Sequence, residues 1–102
     1  MQIQINTTGL KSSEAIDSHV EKELDHTITR FGDRLTRIEV HLHDDNAHRH
    51  GDDKKCTLEA RPAGHQPVTV SHECDDMYDA IKAASHKLRH ALDHVFGKLD
   101  AR

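Results

Sequence analysis

A cluster of basic side chains and histidines in the last quarter of the chain is the strongest candidate for chemistry in this sequence. Positions 82 to 98 hold four Lys or Arg residues, three His residues and a single acid. They are Lys82, His86, Lys87, Arg89, His90, Asp93, His94 and Lys98. Lysine and arginine neutralise phosphate charges, and histidine joins them once it is protonated. The cluster therefore indicates a surface for a polyanion, with a solvated helix face as the plain alternative.

The three histidines of this cluster, His86, His90 and His94, recur at every fourth position. On a helix this spacing places them on one face, where imidazoles can also bind a divalent metal ion. No acid or thiol is placed by the sequence to complete a closed site, so we predict no metal ligands and no cofactor. If these histidines contact phosphate, binding should strengthen as the pH falls from about 8 to about 6.

A second group of histidines lies near the middle of the chain. His41 and His43 alternate along a predicted strand, and His48 and His50 follow in a polar loop rich in Asp. Such a group can take Zn²⁺ or Ni²⁺ opportunistically. A solvated polar loop is the simpler interpretation, and we favour it.

No catalytic residue is predicted. Cys74 is expected at the start of the second helix, where a helix N-terminus activates a thiol, but neighbouring acids oppose this and no partner base is placed. Cys56 falls on an apolar strand face and is expected in the core. The sequence has no Gly-rich phosphate loop, nucleophile elbow or carboxylate pair recognisable by motif, so we do not predict an enzyme.

Hydrophobic periodicity predicts the helices that must carry these residues. Apolar residues recur every three or four positions between 77 and 99, which indicates a helix of about five turns. They are Met77, Ile81, Ala84, Leu88, Ala91 or Leu92, Val95 and Leu99. The same period predicts a first, acidic helix over roughly 13–31, capped by Ser12 or Ser13 and ended by Gly32.

Alternation of apolar and polar residues predicts the strands. They fall at 1–7, 36–44 and 54–61, and Val68 with Val70 marks a fourth. The last three strands, joined by short loops, form an antiparallel meander. The order β-α-β-β-β-α predicts an α+β fold, with both helices on one face of a four-stranded sheet and the other face open to water. Three cations on that open face extend the candidate RNA footprint: Arg37, Lys55 and Arg61.

Length and composition narrow the class of protein. A chain of 102 residues is expected to form one domain, residues 1–102, with a short charged tail from about 98. No secretory leader or membrane span is evident, and two cysteines without a framework pattern favour a cytoplasmic protein. The net charge is −4 with neutral His, so any positive surface has to be local.

Local sequence in both helices resembles one known family. Asp76-Met77-Tyr78, followed by Ala80-Ile81, Lys87-Leu88 and Leu92, is similar to the hallmark of the ribosome hibernation-promoting factor family, also called ribosome-associated inhibitor A, protein Y or sigma-54 modulation protein. The first helix is similar to that family as well. Its matching segments are Glu14-Ala15-Ile16, Val20-Glu21-Lys22, Leu24 and Arg30-Phe31.

The resemblance implies a domain shaped like double-stranded RNA-binding domains. It also implies a stress or stationary-phase factor that binds 16S rRNA in the decoding region of the small ribosomal subunit and blocks mRNA and tRNA. Lys22 and Lys87 match positions that are commonly basic in the family, whereas His90 and His94 replace the usual Arg or Lys. The chain resembles the short form of the family, and whether a separate ribosome-dimerising factor takes part stays open.

These observations lead to one hypothesis and one alternative. The hypothesis is a translation inhibitor whose partner is the small subunit, with no membrane and no small-molecule substrate involved. Its predicted rRNA contacts are Lys22, Lys82, Lys87, Arg89, His90, His94, Lys98, Arg37, Lys55 and Arg61. The alternative, favoured by the acidic balance of the chain, is a domain of the same fold that binds the ribosome weakly and acts as a protein-interaction or regulatory module.

Overall fold

The computed structural model of the protein describes residues 1–45 and 53–101. In these residues the elements are β1 (Gln2–Thr8), α1 (Glu14–Phe31), a 3-10 turn (Gly32–Arg34), β2 (Leu35–Asp44), β3 (Lys54–Pro62), β4 (Val68–Cys74) and α2 (Met77–Asp100). The order β-α-β-β-β-α and the α+β class are confirmed. Each predicted strand and helix is found within a few residues of its expected bounds.

The four strands form one sheet in the order β1-β2-β3-β4. β2, β3 and β4 make the predicted antiparallel meander. β1 pairs with β2 in parallel, so that Ile3 faces Ile38 and Ile5 faces Val40. A parallel pair needs a long crossover connection, and α1 supplies it.

One face of the sheet is buried under the two helices. Alternate residues of β2 and β3 fill this face, and α1 and α2 close over them with Leu, Val, Ile and Ala side chains. The residues without measurable exposure include Val20, Leu24, Ile38, Val40, Leu58, Ile81, Leu88 and Leu92. The core is aliphatic because the sequence supplies no Trp and few other aromatic residues.

Side-chain caps start both helices. The hydroxyl of Ser13 accepts a hydrogen bond from the backbone N–H of Ile16 at 3.1 Å, which settles the choice between the two serines. The carboxylate of Asp76 accepts from the N–H groups of Tyr78 and Asp79 at 2.8 and 3.1 Å. These bonds satisfy N–H groups that have no partner inside the helix.

Of two local predictions, one is confirmed and the other is wrong. α1 ends before Gly32 as expected, but Gly32 has a φ of −55° and begins a 3-10 turn, so the left-handed conformation of glycine is not what ends the helix. Cys74 does not begin the second helix. It ends β4, and its thiol donates to the backbone oxygen of Asp76, within the cap of α2.

Gly9 occupies a position that no other residue fits. Its φ is +80°, and a Cβ built there would collide with the backbone oxygen of Asp44 at the end of β2. Gly64 has a similar φ of +70°, but a Cβ there meets no atom within 4 Å. The two glycines share a backbone conformation and differ in the space around them.

Because the space around the two glycines differs, the same substitution should cost different amounts of stability at Gly9 and at Gly64. Gly64→Ala should cost only the left-handed backbone conformation, about 1–2 kcal/mol. Gly9→Ala adds a backbone collision and should lower the free energy of unfolding by at least about 1 kcal/mol more. Urea denaturation of the two variants beside the wild type measures both effects. Equal losses would contradict the tight contact between Gly9 and β2.

Candidate nucleic-acid interface

The side of α2 that faces away from the sheet carries the candidate interface. Because Met77, Leu88 and Leu92 are held in the core, residues on the opposite side of the helix must face solvent. Five exposed residues of the basic cluster make up this surface, which we call the outer face of α2: Lys82, His86, His90, His94 and Lys98. Within residues 1–45 and 53–101, none of the five makes a hydrogen bond or an ion pair.

The two remaining cations of the cluster are turned to the flanks of α2. Lys87 Nζ donates to the backbone oxygen of Ser71 in β4 at 2.9 Å. Arg89 is half-buried, and its Nη1 donates to Nδ1 of His26 in α1 at 2.7 Å. Each bond holds its side chain toward one flank of α2 and leaves the remaining N–H groups of Lys87 and Arg89 for other partners.

A polar seam joins α1 to α2 along one flank. Arg30 pairs with Asp93 at 2.6 Å, and Arg34 holds the carboxylate of Asp100 through two hydrogen bonds of 3.0 and 2.9 Å. The pairing matters for charge, because Asp93 is the acid that interrupts the basic cluster. Arg30 balances that acid.

Residue numbers rise together along the two helices at these contacts, so α1 and α2 run in the same direction. His19 Nε2 donates to the backbone oxygen of Tyr78 near the start of the seam, and its ring lies edge-on to the tyrosine at 4.8 Å. At the other end Phe31 stacks on Phe96 with ring centroids 5.3 Å apart. The seam therefore fixes which side of α2 faces α1.

α1 contributes little positive charge. Lys22 is exposed, as its predicted role requires, but exposed acids share its helix surface. They include Glu14, Glu21 and Asp25. The local surroundings of Lys22 are therefore acidic, in contrast to the outer face of α2.

The open face of the sheet carries its three predicted cations in ion pairs. Arg61 lies 2.7 Å from Glu59 and 3.2 Å from Glu39. Arg37 approaches Glu39 at 3.7 Å, and Lys55 approaches Glu73 at 3.8 Å. The sheet therefore offers a mixed, largely compensated surface. Two of the pairs, Arg37–Glu39 and Arg61–Glu59, join residues two apart in one strand. The other two, Arg61–Glu39 and Lys55–Glu73, lie across strands, which periodicity along a single strand does not reveal.

The histidines do not form a closed metal site in the described part of the chain. His41 and His43 are exposed on the open sheet face, as predicted. His48, Arg49 and His50 lie outside the described residues. Within 1–45 and 53–101, no three His, Cys, Asp or Glu side chains come together around one point.

The cysteines differ in their surroundings. Cys56 is buried in β3, and burial raises the pKa of its thiol to about 12. A thiol that keeps its proton is a poor nucleophile. Cys74 is half-buried at the end of β4.

The chain is similar to known proteins along nearly its whole length. Residues 3–100 match the profile of a family described as sigma 54 modulation protein / S30EA ribosomal protein. Among solved structures, a ribosomal subunit interface protein from Coxiella burnetii has a TM-score of 0.77 and 26% identity over 100% of both chains. The N-terminal domain of Protein Y from Thermus thermophilus has a TM-score of 0.75 and 25% identity, covering 93% of this chain and 99% of that one.

No curated protein sequence matches the chain significantly. Neither α1 nor α2, the long helices of the described residues, is apolar enough to cross a lipid bilayer.

The pairing of Arg34 with Asp100 at the end of the seam should make the stability of the protein depend on pH in the acid range. The hydrogen bonds from Arg34 lower the pKa of Asp100 below its ordinary value of 3.8. A lowered carboxyl pKa adds stability that is present above the ordinary value and is lost as the pH falls through the lowered one. Asp100→Asn should therefore be less stable than the wild type at neutral pH, and the difference should shrink as the pH falls below about 4.

Thermal unfolding across this pH range measures the effect. Asp33→Asn is the matched control, since Asp33 is an exposed acid of the neighbouring turn without an ion pair in the described residues. A difference between Asp100→Asn and the wild type that stays constant down to about pH 2 would contradict the role assigned to Arg34.

Proposed function

The chain belongs to the sigma 54 modulation protein / S30EA ribosomal protein family, as the helix motifs predicted, and from this premise we propose that it binds the small ribosomal subunit and inhibits translation. A ribosomal role is in keeping with the similar protein from Coxiella burnetii, which is described as a ribosomal subunit interface protein. The partner of this chain would be folded 16S rRNA in the decoding region.

The observation that carries the proposal is the unpaired charge on the outer face of α2. Lys82 and Lys98 have no partner in the described residues, whereas the cations of the seam and of the sheet are engaged. An exposed cation without a partner loses no internal contact when it binds a phosphate. The net charge of the whole chain, −4, therefore does not describe the surface that meets RNA.

The size of the outer face suits a phosphate backbone. Lys82 and Lys98 are sixteen residues apart, which corresponds to about 24 Å along the helix. The three histidines lie between them at intervals of one turn. A row of cations at this spacing favours binding by charge and shape without reading the base sequence.

Binding alone would produce the inhibition. A domain lodged in the decoding region excludes mRNA and tRNA by occupying their space, and no bond has to be made or broken.

The other predicted contacts rank below the outer face. Lys87 and Arg89 are held toward Ser71 and His26, so only their remaining N–H groups could contact RNA. Arg37, Lys55 and Arg61 would first have to leave carboxylates of the sheet. Lys22 is free to bind but stands among acids.

The acidic outer side of α1 favours the second candidate function, a protein-interaction module. Glu14, Glu21 and Asp25 are exposed there and would repel RNA while attracting a basic protein surface. The two functions differ in their partner, and binding to isolated small subunits separates them.

Charge reversal on the outer face tests the ribosomal function. We expect Lys82→Glu/Lys98→Glu to weaken co-sedimentation with small subunits by at least about tenfold at low salt, because phosphate contacts dominate such binding. The wild type should itself be released by high salt. Both lysines are exposed, so the variant should stay folded. A small loss of stability is expected because Lys98 lies in the last turn of α2, where an acid opposes the helix dipole.

The control variant is Lys11→Glu, an exposed lysine between β1 and α1 that is not among the predicted contacts. It makes the same change in net charge as Lys82→Glu alone, with which it is compared. We expect it to bind nearly as well as the wild type. Equal losses in the two variants would refute a specific role for the outer face. A wild type that stays in the supernatant at low salt would favour the protein-interaction module.

Removing the acid beside the outer face should have the opposite effect. Asp93→Asn leaves Arg30 without its partner and adds one unit of positive charge to the α1–α2 flank. We expect tighter binding to small subunits, with a salt dependence at least as steep as that of the wild type. The cost in stability should stay below about 1 kcal/mol because the Arg30–Asp93 pair is exposed.

Glu14→Gln is the control, since it changes the net charge equally at the exposed start of α1, the end away from Arg30 and Asp93. Binding of Asp93→Asn that is unchanged or weaker, together with an unchanged melting temperature, would contradict the proposed surface.

A further inference from the structure

We propose that His86, His90 and His94 form an open binding site for a divalent late transition metal such as Zn²⁺, held between neighbouring imidazoles. The proposal concerns the free protein and does not depend on ribosome binding. It differs from a closed structural metal site, which the sequence and the described residues give no reason to expect.

The first argument is the spacing of the three histidines. Residues four apart on a helix have their Cβ atoms about 5–6 Å from each other, and two histidines at this spacing are a known zinc-binding arrangement. His86 with His90 is one such pair, and His90 with His94 is the other. His86 and His94 are about 12 Å apart along the axis and cannot share an ion.

The second argument is that these imidazoles have no other engagement. All three are exposed, and in the described residues none makes a hydrogen bond or an ion pair. His19 and His26, in contrast, are bonded to Tyr78 and Arg89 in the seam. The outer face thus offers three ring systems that can turn toward a metal without losing a contact.

The helix that holds the histidines is rigid where they sit. His86, His90 and His94 lie in the interior of α2, and the residues beside them, Ser85, Leu88 and Leu92, are buried. A fixed backbone presents both imidazoles of a pair together, which reduces the entropy lost on binding a metal.

The surrounding charges limit the affinity. Lys82 and Lys98 lie one turn beyond the two ends of the histidine row and repel a cation. Asp93, the acid nearest to the row, is paired with Arg30 at 2.6 Å. With two imidazoles and no carboxylate, the ion keeps open positions, which water or a phosphate oxygen can fill.

The open positions connect this site to the proposed function. A bound Zn²⁺ would add two positive charges to the outer face and could accept a phosphate oxygen from RNA. This consequence rests on the proposed function, whereas metal binding itself does not.

His90 belongs to both histidine pairs, so its removal should affect metal binding more than the removal of His86 or His94. The affinity of the full chain for Zn²⁺ is measured by calorimetric titration in the wild type and three variants. The titration is done at about pH 7.5 because histidine must be neutral to bind a metal. His86→Ala and His94→Ala each keep one pair four residues apart. His90→Ala also keeps two histidines of the row, but they are too far apart to share an ion.

We expect His86→Ala and His94→Ala to bind Zn²⁺ within about threefold of the wild type, and His90→Ala to bind at least about tenfold more weakly. The three variants should melt at the same temperature, since all three side chains are exposed. Equal affinity in the three variants would overturn the proposal.

Nuclear magnetic resonance identifies the residues that bind. Imidazole signals of His86, His90 and His94 should shift first as Zn²⁺ is added. Earlier shifts of His41 or His43, the exposed histidines of the sheet, would place the metal elsewhere and would also overturn the proposal.

Sedimentation with small subunits, with and without Zn²⁺, then tests the link to RNA. Stronger binding of the wild type but not of His90→Ala is expected. Metal binding without any sedimentation would leave the metal site standing and refute the ribosomal function. Co-sedimentation with small subunits by a protein that binds no Zn²⁺ would support the ribosomal function and refute the metal site.

Discussion

The burial of one side of α2 is the constraint on which the rest of the structure depends. Ile81, Leu88 and Leu92 have no measurable exposure, and the helix packs on β3, β4 and α1. When one side of a helix is fixed in the core, the residues that face solvent on the opposite side are fixed as well. The position of every charge on the outer face is therefore a consequence of where the apolar residues fall.

Polar contacts on both flanks complete this arrangement. Lys87 bonds to β4 on one side. On the other side, Arg89 and Asp93 meet α1, and Asp100 meets the 3-10 turn that follows it. Contacts between exposed groups are individually weak. Their larger effect is to sort the charges of α2 into those that are engaged inside the protein and those that remain free for a partner.

Much of the fold could be predicted from the sequence because local pattern determines it. Alternation in β2 identified the buried side chains Ile38, Val40 and Leu42, and the spacing of apolar residues identified the buried side of α2. That pattern missed Phe96, which is buried against Phe31 at the end of the seam. Phe96 follows Leu92 by four residues and so fits the same period, but Val95 was predicted at that turn and is only half-buried.

The candidate surface was only partly predictable from the sequence. The sequence located the basic cluster, and exposure supports Lys82, His90, His94 and Lys98 as its free members. The hydrogen bonds of Lys87 to Ser71 and of Arg89 to His26 could not be predicted from local spacing, because the partners are distant in the chain. The ion pairs of Arg61 with Glu39 and of Lys55 with Glu73 likewise arise from strand pairing, which periodicity along one strand does not specify.

The parallel pairing of β1 with β2 has a consequence for how the molecule opens. Ile3 and Ile38 are joined across a loop that contains all of α1, whereas Ala60 and Val68 are joined across a short turn. β1 and β4 are both edge strands with a single neighbour in the sheet, but closing the longer loop costs more chain entropy. Local fluctuations should therefore detach β1 more readily than β4, and hydrogen exchange should be faster in β1 than in β3. Such an opening would leave α2 in contact with β3 and β4, so the outer face would persist through it.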